Sequence, residues 1–333
     1  MQLILILILT LLLAQGTDTA LDSDHPFFYA NKGVYYLMNA EPVQLTNIPA
    51  EVDAVSWTPD GKYLTYFLDN VYSVMAADTG QIIYTFESDV TTPLWEPLWS
   101  SDGRHFVVEF IEFIAEQDYD TGLVLFTVDE SYQVIDSQRI YEDAFRDPVW
   151  SPDGTQLLFV DAFTPTDTPV GVHIYDVENM TLTTRQLDAL VTTPVYWWDD
   201  EHIAILLEDG IYLINLDTSV AQLQYPVDTR LFSTNAWGFS PDHTRLMFNQ
   251  GLYAKTENGF ERIKDVELST AWSPDSQYFL ATVVHNRPAC YPNQIRMVCY
   301  AGVSLDIVVN DRNGNQVAEI AKDVSVVDFG WRP

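Results

Sequence analysis

The chain has 333 residues, with 16 Lys and Arg against 48 Asp and Glu, and a formal net charge of −32. Its 47% hydrophobic content can bury a core, which excludes disorder as a description of the whole chain. A surface this acidic repels phosphate backbones and anionic lipid heads, so no nucleic acid and no lipid beyond an N-terminal anchor is expected as a partner.

In chain order, residues 3–14 read LILILILTLLLA. The run is shorter than the roughly 20 residues that span a bilayer. Residues 1–16 therefore read as a signal peptide cleaved after Gly16 or, since no basic residue precedes the run, as a retained membrane anchor. Residues 17–25 form a polar tether and residues 26–333 the folded domain. Either N-terminal reading places that domain outside the cytoplasm: secreted, periplasmic or surface-tethered.

A phrase then recurs. Trp57-Thr-Pro-Asp-Gly61, Trp99-Ser-Ser-Asp-Gly103, Trp150-Ser-Pro-Asp-Gly154, Phe239-Ser-Pro-Asp-His243 and Trp272-Ser-Pro-Asp-Ser276 each lead into an apolar strand. Trp198-Asp-Asp-Glu-His202 is a degenerate copy, and the chain stops in Trp331-Arg-Pro333. Pro presets φ for a tight turn, Asp bonds its own backbone, and Gly accepts positive φ at the turn's end. The aromatic before the turn can pack between neighbouring sheets. Each phrase is followed by a second strand (VYSVM, HIYDV, IYLIN, DIVVN), a hairpin turn and a fourth strand (IIYTF, QVAEI). Strands A, B, C and D of one antiparallel sheet make a propeller blade. The N-terminal PFFYA, GVYYLM and PVQLT supply strands B, C and D of a last blade, and the C-terminal VVDFGWRP supplies its strand A. The 308 residues from Pro26 onward give 44 per blade in a ring of seven and about 51 in a ring of six, against the roughly 40–45 of a four-stranded blade. The expected fold is an all-β seven-bladed propeller, with six or eight blades as the alternatives.

These phrases resemble the W-S-P-D-G repeats of TolB-type and WD-repeat-like propellers, and those of dipeptidyl-peptidase-type propeller domains. The resemblance covers nearly all of residues 26–333 and implies the fold; it implies little about function. The α/β domain of TolB and the G-x-S-x-G elbow of the peptidases have no counterpart here, since Gly238-Phe-Ser-Pro-Asp242 is a repeat turn.

Short, uniform A–B turns mark one face as structural, while the B–C segments vary in length. Ile111 to Thr121 in blade two, Asp161 to Val170 in blade three and His285 to Val303 in blade six are expected as loops on the other face. Length variation on one face of a repeat array marks a binding surface. The blade-six loop carries His285, Arg287, Tyr291, Arg296 and Tyr300, an aromatic and basic exception on an acidic body, with Cys290 and Cys299 placed to form a disulfide. Glu112, Glu116, Asp118, Tyr119 and Asp120 of blade two and Asp161 and Asp167 of blade three complete the surface. Such carboxylates could hold calcium. In a chain with 48 acids, solvated surface charge is the simpler account, and no cofactor is expected. The six His are scattered, with His105 and His173 read as structural residues on strands. No catalytic constellation is visible. The expected function is non-catalytic binding of a protein or glycan by a monomer, the alternative being a propeller hydrolase or lyase with a site at the channel mouth.

Overall fold

The computed structural model describes residues 27–30, 34–38, 41–45, 52, 55–89, 97–115, 118–161, 170–187, 195–207, 210–218, 220–226, 237–248, 251–266, 269–284, 290–293, 296–299, 305–324 and 328–331. Every regular element among the described residues is a β-strand. Strands β1 (Phe27–Ala30), β2 (Val34–Met38) and β3 (Glu41–Leu45) come first. Blade one follows with β4 (Ser56–Trp57), β5 (Tyr63–Leu68), β6 (Val71–Ala76) and β7 (Gln81–Glu87). Blade two has β8 (Leu98–Trp99), β9 (His105–Ala115), β10 (Asp118–Val128) and β11 (Val134–Tyr141). Blade three has β12 (Phe145–Trp150), β13 (Gln156–Asp161), β14 (Val170–Asp176) and β15 (Thr181–Leu187). Blade four has β16 (Tyr196–Asp199), β17 (His202–Leu207), β18 (Gly210–Asn215) and β19 (Ala221–Pro226). Blade five has β20 (Trp237–Phe239), β21 (Arg245–Phe248), β22 (Gly251–Thr256) and β23 (Gly259–Asp265). In blade six, β24 (Ser269–Trp272) and β25 (Tyr278–Val284) precede a separate hairpin, β26 (Cys290–Asn293) and β27 (Arg296–Cys299). Strands β28 (Leu305–Asp311) and β29 (Gln316–Val324) complete blade six, and β30 (Asp328–Trp331) ends the described chain.

Each blade is a four-stranded antiparallel sheet in the order A-B-C-D. Six blades are built from strands in sequence order. The remaining four-stranded sheet, β3-β2-β1-β30, is the split one expected from the two ends, with Phe27 opposite Trp331 and Ala30 opposite Asp328. The fold is an all-β propeller of four-stranded antiparallel blades.

The core lies between sheets. Phe106 and Phe126 of blade two stack at 4.7 Å and meet Tyr72 and Val74 of blade one. The other side of blade two gives Val107, Leu123 and Leu125 to Leu157, Phe159 and Tyr175 of blade three. Leu158, Val160 and Val172 turn to Trp197, Ile203 and Ile205 of blade four. The same alternation carries the packing on through Leu246 and Phe248 of blade five to Phe279 and Val308 of blade six. Central strands B and C are apolar on both faces because both faces are covered. The period of two then assigns each residue to one neighbour or the other.

The repeated phrase folds identically in five blades. Thr58, Ser100, Ser151, Ser240 and Ser273 are buried. Each hydroxyl donates to the Asp two residues on, at 2.6–2.7 Å. The same oxygen accepts the amide five residues on, at 2.9–3.1 Å. The Asp in turn accepts the amide two residues beyond itself. Positive φ is found at Gly61, Gly103 and Gly154, and equally at His243 (53°) and Ser276 (61°), so the hydrogen-bonded turn imposes that backbone even on residues with a Cβ. These turns also bond between blades. Ser101 donates to the Pro152 carbonyl at 2.7 Å, the Asp242 amide donates to Ser276 at 3.0 Å, and Arg312 of blade six reaches Asp242 of blade five.

Two expectations need correcting. Trp198 does not take the place of the phrase's aromatic. Trp197 does, donating to the Val149 carbonyl at 3.1 Å as Trp150 donates to the Leu98 carbonyl at 2.8 Å. The A–B turn of blade four is tighter, with Asp199 opposite His202 across a register shift, and this moves the aromatic by one residue. The segment Ile111 to Thr121 is not a loop. Its strands β9 and β10 stay paired out to Ala115 opposite Asp118, because I-E-F-I-A and D-Y-D-T-G extend the β-pattern of the strands they continue.

Candidate functional site

The B–C side of blades two and three carries a continuous line of polar side chains. It starts at Glu112 on β9, whose carboxylate meets Arg139 of β11 at 3.0 Å. The Arg139 guanidinium lies 4.5 Å above the Phe110 ring. Gly122 of β10 lies under this arrangement. A Cβ there would stand 2.1 Å from the Tyr141 carbonyl oxygen and 2.9 Å from the Phe110 ring, so the strand leaves room for both neighbours.

Two residues along β11 from Arg139, Tyr141 enters a half-buried cluster in blade three. His173 of β14 is 6% exposed. Its Nε2 lies 2.7 Å from Asp161 Oδ1 and its Nδ1 2.9 Å from the Thr184 hydroxyl. A carboxylate oxygen only accepts, so Nε2 donates to Asp161, while Nδ1 meets a hydroxyl that can serve as donor or acceptor. Asp161 Oδ2 accepts the Gly171 amide at 2.8 Å, and the buried Arg146 donates to the Asp161 carbonyl at 3.2 Å. The Tyr141 hydroxyl is 3.4 Å from Asp161 and 3.3 Å from His173. Burial first, then the charges of Asp161 and Asp143, push the Tyr141 phenol up to about 12, so it stays a neutral donor. Phe159 stacks on the imidazole with ring centroids 5.0 Å apart. Both ring nitrogens of His173 are engaged. The cluster is therefore a clamp between blade two and blade three.

The sequence-predicted residues divide as follows. Glu112 and Asp120 face each other across β9 and β10, the first neutralised by Arg139 and the second exposed. Asp161 ends β13 and turns into the His173 clamp, away from any shared site with Glu112. Asp118 pairs with Ala115 and Tyr119 with Phe113 in the extended hairpin. Tyr291 pairs with Val298 and Arg296 with Asn293 in β26–β27, where Cys290 stands directly opposite Cys299. Asp167, Glu116, His285, Arg287 and Tyr300 lie outside the described residues. Among the described residues no group of three or more His, Cys, Asp or Glu is placed to hold a metal ion. Asp311-Arg-Asn313-Gly-Asn315 is a hairpin turn, Asp311 accepting the amides of Asn313 and Asn315. Sequence reasoning passed over Tyr141, Arg139 and Thr184 and read His173 as an ordinary strand residue. The available signal was a His in the otherwise apolar strand GVHIY, which demands buried partners.

No protein-family description matches the chain. Translation initiation factor 3 subunit I of Candida glabrata is 26% identical over 214 residues, which is 54% of this chain. The chain spans 56% of that relative's length. Among solved structures, a puromycin-hydrolysing peptidase of Mycobacterium tuberculosis superposes with a TM-score of 0.60 at 14% identity, over 92% of this chain and 53% of the peptidase. A eukaryotic initiation factor gives 0.51 at 13% identity, over 92% of this chain and 98% of its own. TolB from Acinetobacter baumannii gives 0.46 at 13% identity, over 90% and 79%. These likenesses show the β-propeller fold, as the repeated phrase implied.

Proposed function

We propose that the chain is an exported, non-catalytic propeller that presents its B–C side to a protein partner, as a closed ring in which β3-β2-β1-β30 is the seventh blade. The observation that carries the binding role is the asymmetry between the two sides. Five A–B turns are one hydrogen-bonded design, and those of blades two and three and of blades five and six bond to each other. The B–C side departs from it with the β9–β10 extension and the additional β26–β27 hairpin. Elements that vary on a rigid scaffold are where recognition is built. The similarity to a protein named as a subunit of a larger factor supports a protein partner over a glycan. The place of the split sheet as the blade after blade six is supported by β30 lying beside β24 and β3 beside β29. The opposition of Cys290 and Cys299 supports a disulfide that fixes the hairpin, and export permits it.

The test is affinity capture from envelope extract with three forms of the protein: intact, without residues 286–302, and without residues 112–120. Loss of the captured partner in either deletion, with the thermal transition retained, is the expected result. Unchanged capture by both deletions defeats the reading.

A further inference from the structure

Each blade ends in an outer strand D, whose far edge has no neighbour in its sheet. Such edges invite pairing with another chain, and proteins blunt them with bulges, prolines or charge. Here the blunting is systematic. The C–D ladder is broken by register shifts at Val74/Met75 in blade one, at two places in blade two, at Ile211/Tyr212 in blade four, at Leu252/Tyr253 in blade five and at three places in blade six. The split sheet has no shift but carries Pro42 in its outer strand β3. Blade three is the exception. Strands β14 and β15 pair without interruption from Val170–Leu187 to Asp176–Thr181.

The outer strand of that blade reads TLTTRQL. It has no proline and no carboxylate in a chain of net charge −32. Thr181, Leu182, Thr183, Thr184 and Gln186 are exposed, Leu182 at 41%. β-Branched residues hold a strand extended, and His173 and Asp161 fix the middle of this one through Thr184. A preformed, straight edge without carboxylates, whose one charge is the half-buried Arg185, lowers the ordering cost of adding a strand.

We propose that β15 is a docking edge that an extended segment of a partner protein joins as a fifth strand of blade three. The partner segment is free of acid and carries Lys or Arg. The body's charge repels a second copy of this chain and an acidic segment alike, and the exposed Glu178 in the turn before β15 adds to this. Backbone hydrogen bonds supply affinity, and Leu182 supplies an apolar contact on one face of the added strand. The proposal is independent of the hairpins assigned to recognition above, and its test does not touch them.

The probe is a synthetic peptide of alternating Lys and Val, as long as β15, added to the whole protein. Hydrogen exchange is expected to slow at residues 181–187. Leu182→Lys is expected to weaken binding roughly tenfold, whereas Ile83→Lys on the bulged edge of β7, which changes net charge equally, leaves it unaltered. Peptides N-methylated at alternate residues separate backbone pairing from charge. Methylation of one alternate set abolishes binding and of the other set does not. Equal weakening by the two Lys variants, equal binding of the two methylated peptides, or protection elsewhere on the protein overturns the proposal.

Discussion

Gly171 and Asp161 are fitted to each other. The Gly171 amide donates to Asp161 Oδ2 at 2.8 Å, and a Cβ on Gly171 would stand 2.4 Å from that same oxygen. The glycine is required by space. Gly171→Ala should expel the carboxylate and strip His173 of its Nε2 acceptor. A buried polar group left unsatisfied costs about 1–3 kcal/mol. Thermal or urea unfolding of Gly171→Ala and His173→Ala, alone and together, is expected to give strongly non-additive losses, since both break one network. Additive losses would show that the two residues act separately.

Trp197 and Trp198 should separate in the same measurement. Trp197→Phe removes the donor to the Val149 carbonyl between two blades and should lose about 1–3 kcal/mol. Trp198 stacks on His243 at 4.2 Å and lies below Lys255 Nζ at 5.5 Å. A phenyl ring retains most of this, so Trp198→Phe should lose less than about 1.5 kcal/mol. The reverse ranking would restore Trp198 as the phrase's aromatic.

The fold was legible because the phrase is a turn with its own chemistry: Ser, Asp and a positive-φ residue at fixed offsets specify the bonds found. The two ends could be matched because each was short of a complete blade. Trp197 was misread because a turn shortened by one residue shifts the phase while leaving a Trp on either side. The His173 clamp was hidden for a different reason. Its members come from β11, β13, β14 and β15, so no local spacing announces them. Length variation pointed to the B–C side, but hydrophobic alternation in I-E-F-I-A and D-Y-D-T-G was weak enough to pass for loop.

Acid should weaken the turns in a defined window. Burial opposes ionisation of Asp242, but the Ser240 and Thr244 hydroxyls, the Thr244 amide and the Arg312 charge hold its carboxyl down to about 2, from an ordinary 3.8. Desolvation likewise opposes ionisation of Asp60, which Lys62 and Thr58 nonetheless lower, and the Ser151 hydroxyl lowers Asp153. A depressed folded value means stabilisation present above the unfolded value and lost as pH falls through the folded one. Melting temperature should therefore hold to about pH 4 and decline toward pH 2. Asp242→Asn should start lower and show a shallower decline over that range. An acid limb identical to that of the unaltered protein would remove Asp242 from the account.

Met180 offers a gain. It adopts φ +51° in the turn between β14 and β15 and is 65% exposed. A left-handed backbone costs an L-residue about 1–2 kcal/mol, which glycine avoids. Glycine's greater freedom in the unfolded chain takes back part of this. With little packing to lose at an exposed side chain, Met180→Gly should stabilise by about 0.5–1 kcal/mol, read as an increase of roughly 1–4 °C in melting temperature. His243→Gly makes the contrast. His243 has nearly the same φ, 53°, but its ring stacks on Trp198, so relief of backbone strain is offset by a lost aromatic contact worth about 0.5–1.5 kcal/mol. Met180→Gly should raise the transition and His243→Gly should leave it level or lower it. A fall at Met180 would mean that the turn draws on its side chain after all.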